Sequence, residues 1–319
     1  MKQPETLQEA IVYFSDPERA FVYAVNLRWP DGKVTCPRCG NDKHSFIKTR
    51  RLWFCKRCEK QFTVKVGTIF EDSALGLDKW MSATWMIVNA KNGISSWEIH
   101  RALGVTQKTA WFMLHRIRKA MSNNSFVKLG GPGSEVEADE TFIGGKARNM
   151  HLSTKTRRIR STGPKGKQPV WGALERGGQV RCEVIPNTES ANVQNMVRKH
   201  VSAASSLYTD ALKSYRGLDV DYARGVIDHA VAYVNGRIHT NGLENFWSLL
   251  KRGIGGTYVS VEPFHLFRYL DEQSFRYNNR GTSKNPIDDG QRFRMVMSNV
   301  AGKRLTYDEL TGKLHQEAF

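Results

Sequence analysis

Residues 36–62 read CPRCGNDKHSFIKTRRLWFCKRCEKQF and contain two CxxC pairs, Cys36 with Cys39 and Cys55 with Cys58. Fifteen residues separate the inner cysteines, which is the spacing typical of a zinc ribbon. Each pair can supply two thiolates to a tetrahedral zinc ion, and two pairs complete a structural site with no open position. Two disulfides are the alternative, but the spacing and the lack of secretory features favour zinc.

The composition of the chain indicates a polyanionic partner. Its 319 residues include 48 Lys and Arg against 31 Asp and Glu, a formal net charge of +17. Nucleic acid is the partner that this charge favours, and a generally solvated basic surface is the alternative. With no apolar stretch of 18 residues and no signal-peptide core in residues 1–14, we expect a cytoplasmic protein without a membrane segment. Cys182 is expected to be a buried strand residue.

The regions on either side of the cysteine pairs are predicted to be helical. Apolar spacing indicates two helices within residues 5–28, with Asp16 as the N-cap of the second helix and Pro17 as its first residue. The ribbon is expected over residues 29–70. Three further helices are predicted after it: 77–89, 95–103 and 106–121.

The last two of these helices have the spacing of a helix-turn-helix. A capping box begins at Ser95, Gly104 makes the turn and Thr106 caps the second helix. Three side chains at the front of that helix would then meet base edges: Gln107, Lys108 and Thr109. A helical hairpin that only packs is the alternative, and the basic charge favours DNA binding.

The pattern changes after residues 122–134, which are polar and rich in glycine and predict a linker. Strands are predicted at 135–142, 169–174, 179–185, 206–209 and 225–227, and helices at 191–201, 241–252 and 263–277. This alternation is typical of an α/β fold. We therefore divide the chain into four parts: N-terminal helices and zinc ribbon (1–75), helix-turn-helix domain (76–125), α/β domain (126–285) and C-terminal tail (286–319). The tail is expected to pack against the α/β domain.

Three acidic residues stand at the ends of predicted elements. Asp139 and Asp210 each lie at the end of a strand, and Glu244 lies near the start of a helix. Strand ends in α/β sheets meet at a crevice where sites form. Magnesium or manganese ions prefer carboxylate oxygens, and a pair of such ions can promote phosphoryl transfer. Taken singly, each carboxylate is better explained as a helix cap or a surface group.

The chain resembles the DDE-type insertion-sequence transposases that carry an N-terminal zinc ribbon. Besides the CxxC pairs, four motifs carry the resemblance: ADETFIGGK (138–146), YTDALKSY (208–215), HTNGLENFWSLLKRGIGGTY (239–258) and HLFRYLDEQSFRYNNR (265–280). The resemblance implies an RNase H-like, mixed-sheet catalytic domain. It also implies that Asp139 and Asp210 are the first two catalytic carboxylates.

The third catalytic position is open between Glu244 and Asn241. Glu244 is separated from Asp210 by 33 residues, close to the separation common in this family. Lys251, two helical turns after Glu244, would lie on the same helix face and could hold the DNA end, with Arg252 beside it. Asn241 offers a neutral oxygen and is equally suited to cap the helix. We favour Glu244 because hard cations prefer charged oxygen.

A basic segment follows Asp139 closely. Residues 146–169 contain eight Lys and Arg and no acid. We interpret them as a loop that clamps phosphates near the carboxylates, and single out three arginines for that role: Arg157, Arg158 and Arg160.

Together these features predict a metal-dependent transposase. It would bind the terminal inverted repeats of an insertion sequence, cut the DNA with Mg or Mn held by the three carboxylates, and join the freed ends to target DNA. Cutting and joining two ends requires at least a dimer, and the protein would associate with the nucleoid. A transcription regulator derived from a transposase and a metal-dependent nuclease without strand transfer are the alternatives.

Overall fold

A computed structural model describes residues 3–122, 127–145, 152–153, 166–227, 238–283 and 285–313. The chain divides into two compact units, residues 1–122 with 279–319, and residues 123–278. Among the described residues, no helix combines the length and the apolar character needed to cross a membrane.

The first unit begins with two short helices, α1 (Leu7–Phe14) and α2 (Pro17–Arg28). The Asp16 carboxylate accepts the backbone N–H of Glu18 at 2.8 Å, so the predicted N-cap is confirmed. Three further helices follow the ribbon: α3 (Leu77–Asn89), α4 (Ser96–Leu103) and α5 (Gln107–Met121). The α4 helix opens with the expected capping box, and Gly104 takes the left-handed φ of +60° that the turn requires.

The ribbon between α2 and α3 is a small antiparallel sheet. Its three strands are β1 (His44–Ile47), β2 (Leu52–Cys55) and β3 (Gln61–Phe62), paired in that order. Trp53 on β2 is buried at its centre, with the ring of Phe62 at 5.6 Å and that of Phe21 from α2 at 5.8 Å. This aromatic stack joins the ribbon to α2.

The C-terminal segment belongs to the first unit and contains two helices, α9 (Asp289–Ser298) and α10 (Tyr307–Leu310). Phe293 of α9 is fully buried, with ring centroids 5.4 Å from Phe14 and 5.1 Å from Trp85. From the sequence, this segment is expected to pack against the α/β domain. The structure differs because this segment supplies an apolar side chain that completes the core of the first unit.

The second unit is built on a five-stranded mixed sheet of order β6-β5-β4-β7-β8. Its strands are β4 (Glu135–Ile143), β5 (Gln168–Glu175), β6 (Val180–Val184), β7 (Ser206–Asp210) and β8 (Ala223–Ile227). The first three form an antiparallel meander, and β7 and β8 lie parallel to β4. The predicted α/β class with a mixed, RNase H-like sheet is confirmed.

Helices cover both faces of this sheet: α6 (Ser190–His200), α7 (Asn241–Gly253) and α8 (Leu266–Asn278). Val136 and Ala138 of β4 share one apolar core with Val193 and Val197 of α6. On the other face, α7 and α8 pack over Leu174 and neighbouring apolar residues. Because side chains alternate along a strand, the odd-numbered residues of β4 from Glu135 to Asp139 face α7.

Candidate active site and metal-binding cluster

The four predicted zinc ligands lie together in the ribbon. The sulfur atoms of Cys36, Cys39, Cys55 and Cys58 are all within 4.8 Å of one another. The Sγ atoms of Cys36 and Cys58 are 3.8 Å apart, and those of Cys39 and Cys55 are 3.5 Å apart. Tetrahedral thiolates about 2.3 Å from zinc would lie roughly 3.8 Å from one another, whereas a disulfide requires about 2.05 Å. The cluster therefore fits a structural zinc ion.

The two CxxC turns share one backbone geometry. The N–H of Gly40 donates to the carbonyl of Cys36 at 2.8 Å, and that of Glu59 donates to the carbonyl of Cys55 at 3.0 Å. Gly40 and Glu59 are both left-handed, with φ of +70° and +54°. The equivalent turns direct two sulfur atoms from each pair toward a common centre.

Asp139 and Asp210 lie side by side on neighbouring parallel strands. Ala138 of β4 is in register with Thr209 of β7, so the next residues along the two strands are the two aspartates. The Asp139 Oδ2 atom accepts a hydrogen bond from Trp247 Nε1 of α7 at 3.0 Å, so this carboxylate faces α7. The sheet thus brings together two acids that are 71 positions apart in sequence.

The electrostatics of this site depend on burial and like charge. Burial, then the neighbouring Asp210 carboxylate and more weakly Glu244, raise the pKa of Asp139 from 3.8 to about 6. The hydrogen bond from Trp247 favours the ionised form and opposes this shift. The negative charge of Asp210 disfavours ionisation of Asp139, and a bound divalent cation would relieve this repulsion.

A glycine opposite Asp139 makes room for the indole of Trp247. Gly172 of β5 is the register partner of Asp139. A Cβ atom added at Gly172 would lie 2.7 Å from Cζ2 and Cη2 of the Trp247 ring. The tryptophan therefore packs directly on the backbone of β5 while its nitrogen reaches the carboxylate.

Glu137 fixes the start of α7 to the same strand. Its side chain is only 1% exposed, and its Oε2 atom accepts the backbone N–H of Leu243 at 2.9 Å. Its Oε1 atom accepts Nε of Arg176 at 2.9 Å. Gly242 is also constrained, because a Cβ there would lie 2.9 Å from Glu137 Oε2. The buried carboxylate thus accepts an N–H, shared with the carbonyl of Thr240 at 3.0 Å, at the positive end of the helix that carries Glu244.

Glu140 lies on the opposite face of β4 and is a partly buried acid. The hydroxyl of Tyr215 donates to its Oε1 atom, and Tyr215 is fully buried. Burial raises the pKa of Glu140 to about 8. Glu137, Arg176 and Glu140 are functional candidates that the sequence pattern did not single out. One signal was present, since Glu135, Glu137 and Asp139 recur every second residue and must share one face of a strand.

The third position lies in the first turn of α7. Asn241 and Glu244 are both exposed there, and the N-cap is Thr240 rather than Asn241. Lys251 and Arg252 are exposed in the last turn of the same helix. In the part of the chain that the structure describes, the four cysteines alone bring three or more metal-ligating atoms within 4.8 Å of one another. Among the described residues the three acids do not form so tight a group, but the charges of Asp210 and Glu244 both act on Asp139.

The predicted base-contacting residues lie together at the front of α5. Gln107 Nε2 donates to Ser96 Oγ at 2.9 Å, and the hydroxyl oxygens of Thr109 and Thr106 are 2.8 Å apart. The ammonium of Lys108 is 4.6 Å from the ring centroid of Tyr307 in α10. Lys108 is exposed and the other two are half-buried, and each already has a contact within the first unit.

Two further predictions concern the arginines of the basic segment and Cys182. Arg157, Arg158 and Arg160 lie outside the described residues. Cys182 lies on β6 as predicted but is only partly buried, with its sulfur 3.2 Å from the hydroxyl of Ser274.

Comparison with known proteins gives two family matches. A transposase zinc-ribbon domain matches residues 15–61, and an ISXO2-like transposase domain matches residues 128–278. Among solved structures, a chain in the intasome of simian T-cell lymphotropic virus, in complex with the PP2A regulatory subunit B56 gamma, aligns with 62% of this chain and 70% of its own. The identity is 13% and the TM-score 0.29, a likeness too small to inform fold or function.

Two relatives align with this chain over most of their length. An uncharacterized protein in transposable element ISH50 of Halobacterium salinarum is 30% identical over 254 residues, which are 75% of this chain and 83% of that protein. An uncharacterized transposase-like protein of Haemophilus influenzae is 33% identical over 102 residues, which are 32% of this chain and 82% of that protein. The chain therefore belongs to the family of insertion-sequence transposases in which a zinc-ribbon domain precedes an ISXO2-like, DDE-type transposase domain.

Proposed function

We propose that this protein binds the terminal inverted repeats of its insertion sequence, cleaves the DNA there and transfers the freed strands to target DNA. The observation that carries the proposal is the pair Asp139 and Asp210, adjacent on parallel strands beneath α7 and coupled so that one raises the pKa of the other. Adjacent carboxylates on a sheet are suited to hold divalent cations for phosphoryl transfer.

Three carboxylates would hold the Mg or Mn ions: Asp139, Asp210 and Glu244. Bound there, the cations would neutralise the charge that develops on the transferred phosphoryl group. Glu244 is preferred to Asn241 because its charge already acts on Asp139 and because it lies one helical turn before Trp247, which bonds that aspartate.

The protein side chains around the site have separate roles in this proposal. Trp247 orients the carboxylate of Asp139 through its indole N–H. Glu137 and Arg176 hold the first turn of α7 against β4, which sets the position of Glu244 relative to the aspartates. Orientation by buried partners is what a cation site needs if its ligands are to be held ready without rearrangement.

DNA binding would draw on the charge of the whole chain, +17. Close to the carboxylates, Lys251 and Arg252 would contact the phosphates of the cleaved end. Two further groups are proposed to bind DNA: Gln107, Lys108 and Thr109 on the inverted repeat, and Arg157, Arg158 and Arg160 as a phosphate clamp. Pairing two ends implies at least a homodimer on DNA, and affinity for DNA implies association with the nucleoid.

The test is strand transfer in vitro with a labelled duplex that carries the inverted repeat bordering the gene, in Mg or Mn. We compare the wild type with Asp139→Ala, Asp210→Ala, Glu244→Ala and Asn241→Ala. Asp221→Ala is the matched control, because the side chain of this half-buried aspartate pairs with Arg198 at the surface of the same unit. We expect joined product in the wild type and the control and at least a ~100-fold loss in both aspartate variants.

The other outcomes separate the alternatives. Hydrolysis without joining would indicate a nuclease, and tight sequence-specific binding without cleavage in either metal would indicate a regulator. If Asn241→Ala lost activity while Glu244→Ala kept it, Asn241 would be the third ligand. Full activity in both aspartate variants would refute the proposal.

A further inference from the structure

The turn that follows α7 has an unusual backbone and an exposed apolar tip. Residues Ile254–Tyr258 form one π-helical turn, and Val259 follows with φ of +62° and ψ of −53°. Branched side chains rarely adopt a positive φ. The side chain of Val259 is nevertheless 78% exposed, so no contact with a core explains why this conformation is held.

The strained turn is held from its inner side. The hydroxyl of Tyr258 donates to Glu272 of α8, which is completely buried and also bonded by Arg276 one helical turn later. The Tyr258 ring meets the ring of Tyr269 edge-on, with centroids 4.8 Å apart. A buried charged network and an aromatic contact therefore fix the residue before Val259. Strain that is held in this way commonly marks a functional position.

The helix that leads to the tip ends in two exposed basic residues, and the turn itself is open. Lys251 and Arg252 are exposed one turn before the π-helical segment, and Glu262 is the exposed acid that follows it. A Cβ atom added at Gly255 or Gly256 would meet nothing within 4 Å, so the backbone there is open to a close approach. The charges of Lys251 and Arg252, on the helix that leads into this turn, complement the phosphates of DNA, and an exposed apolar tip complements its base stack.

We propose that Val259 is a wedge that enters a base step of the duplex held at the active site and unstacks it. The inference rests on the proposed function and adds a DNA-distorting contact to it. Proteins that bend DNA insert apolar side chains between base pairs and hold the backbone beside them with basic residues. A rigid turn suits this role because it keeps the Val259 side chain in place against the stacking of the base pairs.

The position of the disturbed step follows from the helix. Gly253 lies nine positions after Glu244, which is about 14 Å at 1.5 Å per residue. For a duplex that runs alongside α7, at about 3.4 Å per base pair, the unstacked step is expected at least about 4 base pairs from the cleaved phosphate.

The experiment uses 2-aminopurine, whose fluorescence rises when its stacking is lost. The full-length protein is bound to the inverted-repeat duplex without Mg or Mn, and the probe is moved through the outer base pairs one position at a time. We expect roughly a threefold rise at one or two adjacent positions for the wild type, lost in Val259→Ser and in Val259→Gly. The glycine variant relieves the strain, so a folding defect cannot explain its loss of signal. Val220→Ser is the control, because Val220 is 90% exposed in another turn of the same unit.

The outcomes distinguish this inference from the proposed function. An unchanged rise in both Val259 variants, or no rise at any position in a complex that forms, would overturn the wedge while cleavage and joining still stood. A rise that depends on Val259 in a protein that never cleaves would support the wedge and refute the proposed function. If no complex forms on any duplex, both are refuted.

Discussion

Replacing Asp139 by asparagine should make the metal-free protein more stable while abolishing its activity. Folding raises the pKa of this carboxyl from 3.8 to about 6, chiefly by burial. A carboxyl whose pKa is raised by folding destabilises the folded state wherever it is ionised. The penalty is absent below pH 3.8, grows between pH 3.8 and 6, and is complete above pH 6.

The magnitude follows from the size of the shift. A shift of about two pKa units corresponds to ~3 kcal/mol at pH 7.5, and the same relation gives ~1.5 kcal/mol at pH 5. Asparagine keeps an oxygen for the Trp247 indole but carries no charge. Asp139→Asn should therefore gain about 3 kcal/mol at neutral pH and about half of that at pH 5.

Hydrogen exchange of peptides from β4 and β5 measures the free energy of unfolding of the second unit alone. The buffer must lack divalent cations but contain no chelator, which would remove zinc from the ribbon. Asp221→Asn is the control, because Asp221 lies in an exposed ion pair worth at most about 1 kcal/mol. If Asp139→Asn were neutral or destabilising at pH 7.5, or had equal effects at both pH values, burial would not govern this carboxylate.

Three further predictions concern the parts that support the site. Gly172→Ala adds a methyl group 2.7 Å from a packed indole and should cost ~1–3 kcal/mol and lower strand transfer, whereas Gly145→Ala, which meets nothing within 4 Å, should change neither. Glu137→Ala removes a buried carboxylate that bonds Arg176 and the first turn of α7, and should cost ~3 kcal/mol in urea unfolding, against under ~1 for Asp221→Ala. Cys55→Ser should abolish the binding of one zinc per chain in atomic absorption, and substitution of the cysteine on β6 should not. Equal effects in a variant and its control would refute the corresponding reasoning.

Local features of the chain could be predicted because neighbouring residues decide them. The Asp16 cap, the capping box at Ser95 and the left-handed Gly104 depend on a few consecutive residues, and the structure has all three. The strands of the second unit were likewise visible as short apolar runs between turn residues. The α9 helix was missed, although Asp288 begins a capping box with Gln291. Its role in the core of the first unit depends on aromatic partners far away in sequence.

The sequence by itself determined the metal cluster, the caps and the identity of the candidate acids. A CxxC turn brings its two sulfur atoms together through local backbone geometry. The candidate carboxylates could be recognised from their residue type and from their position at the ends of predicted strands and helices. Only the tertiary structure decided that Asp139 lies beside Asp210, that Trp247 rests on Gly172, and that Glu137 anchors α7. These contacts join residues 71 to 106 positions apart. Strand register and the packing of helices on the sheet set them, and neither can be derived from the order of residues within one segment.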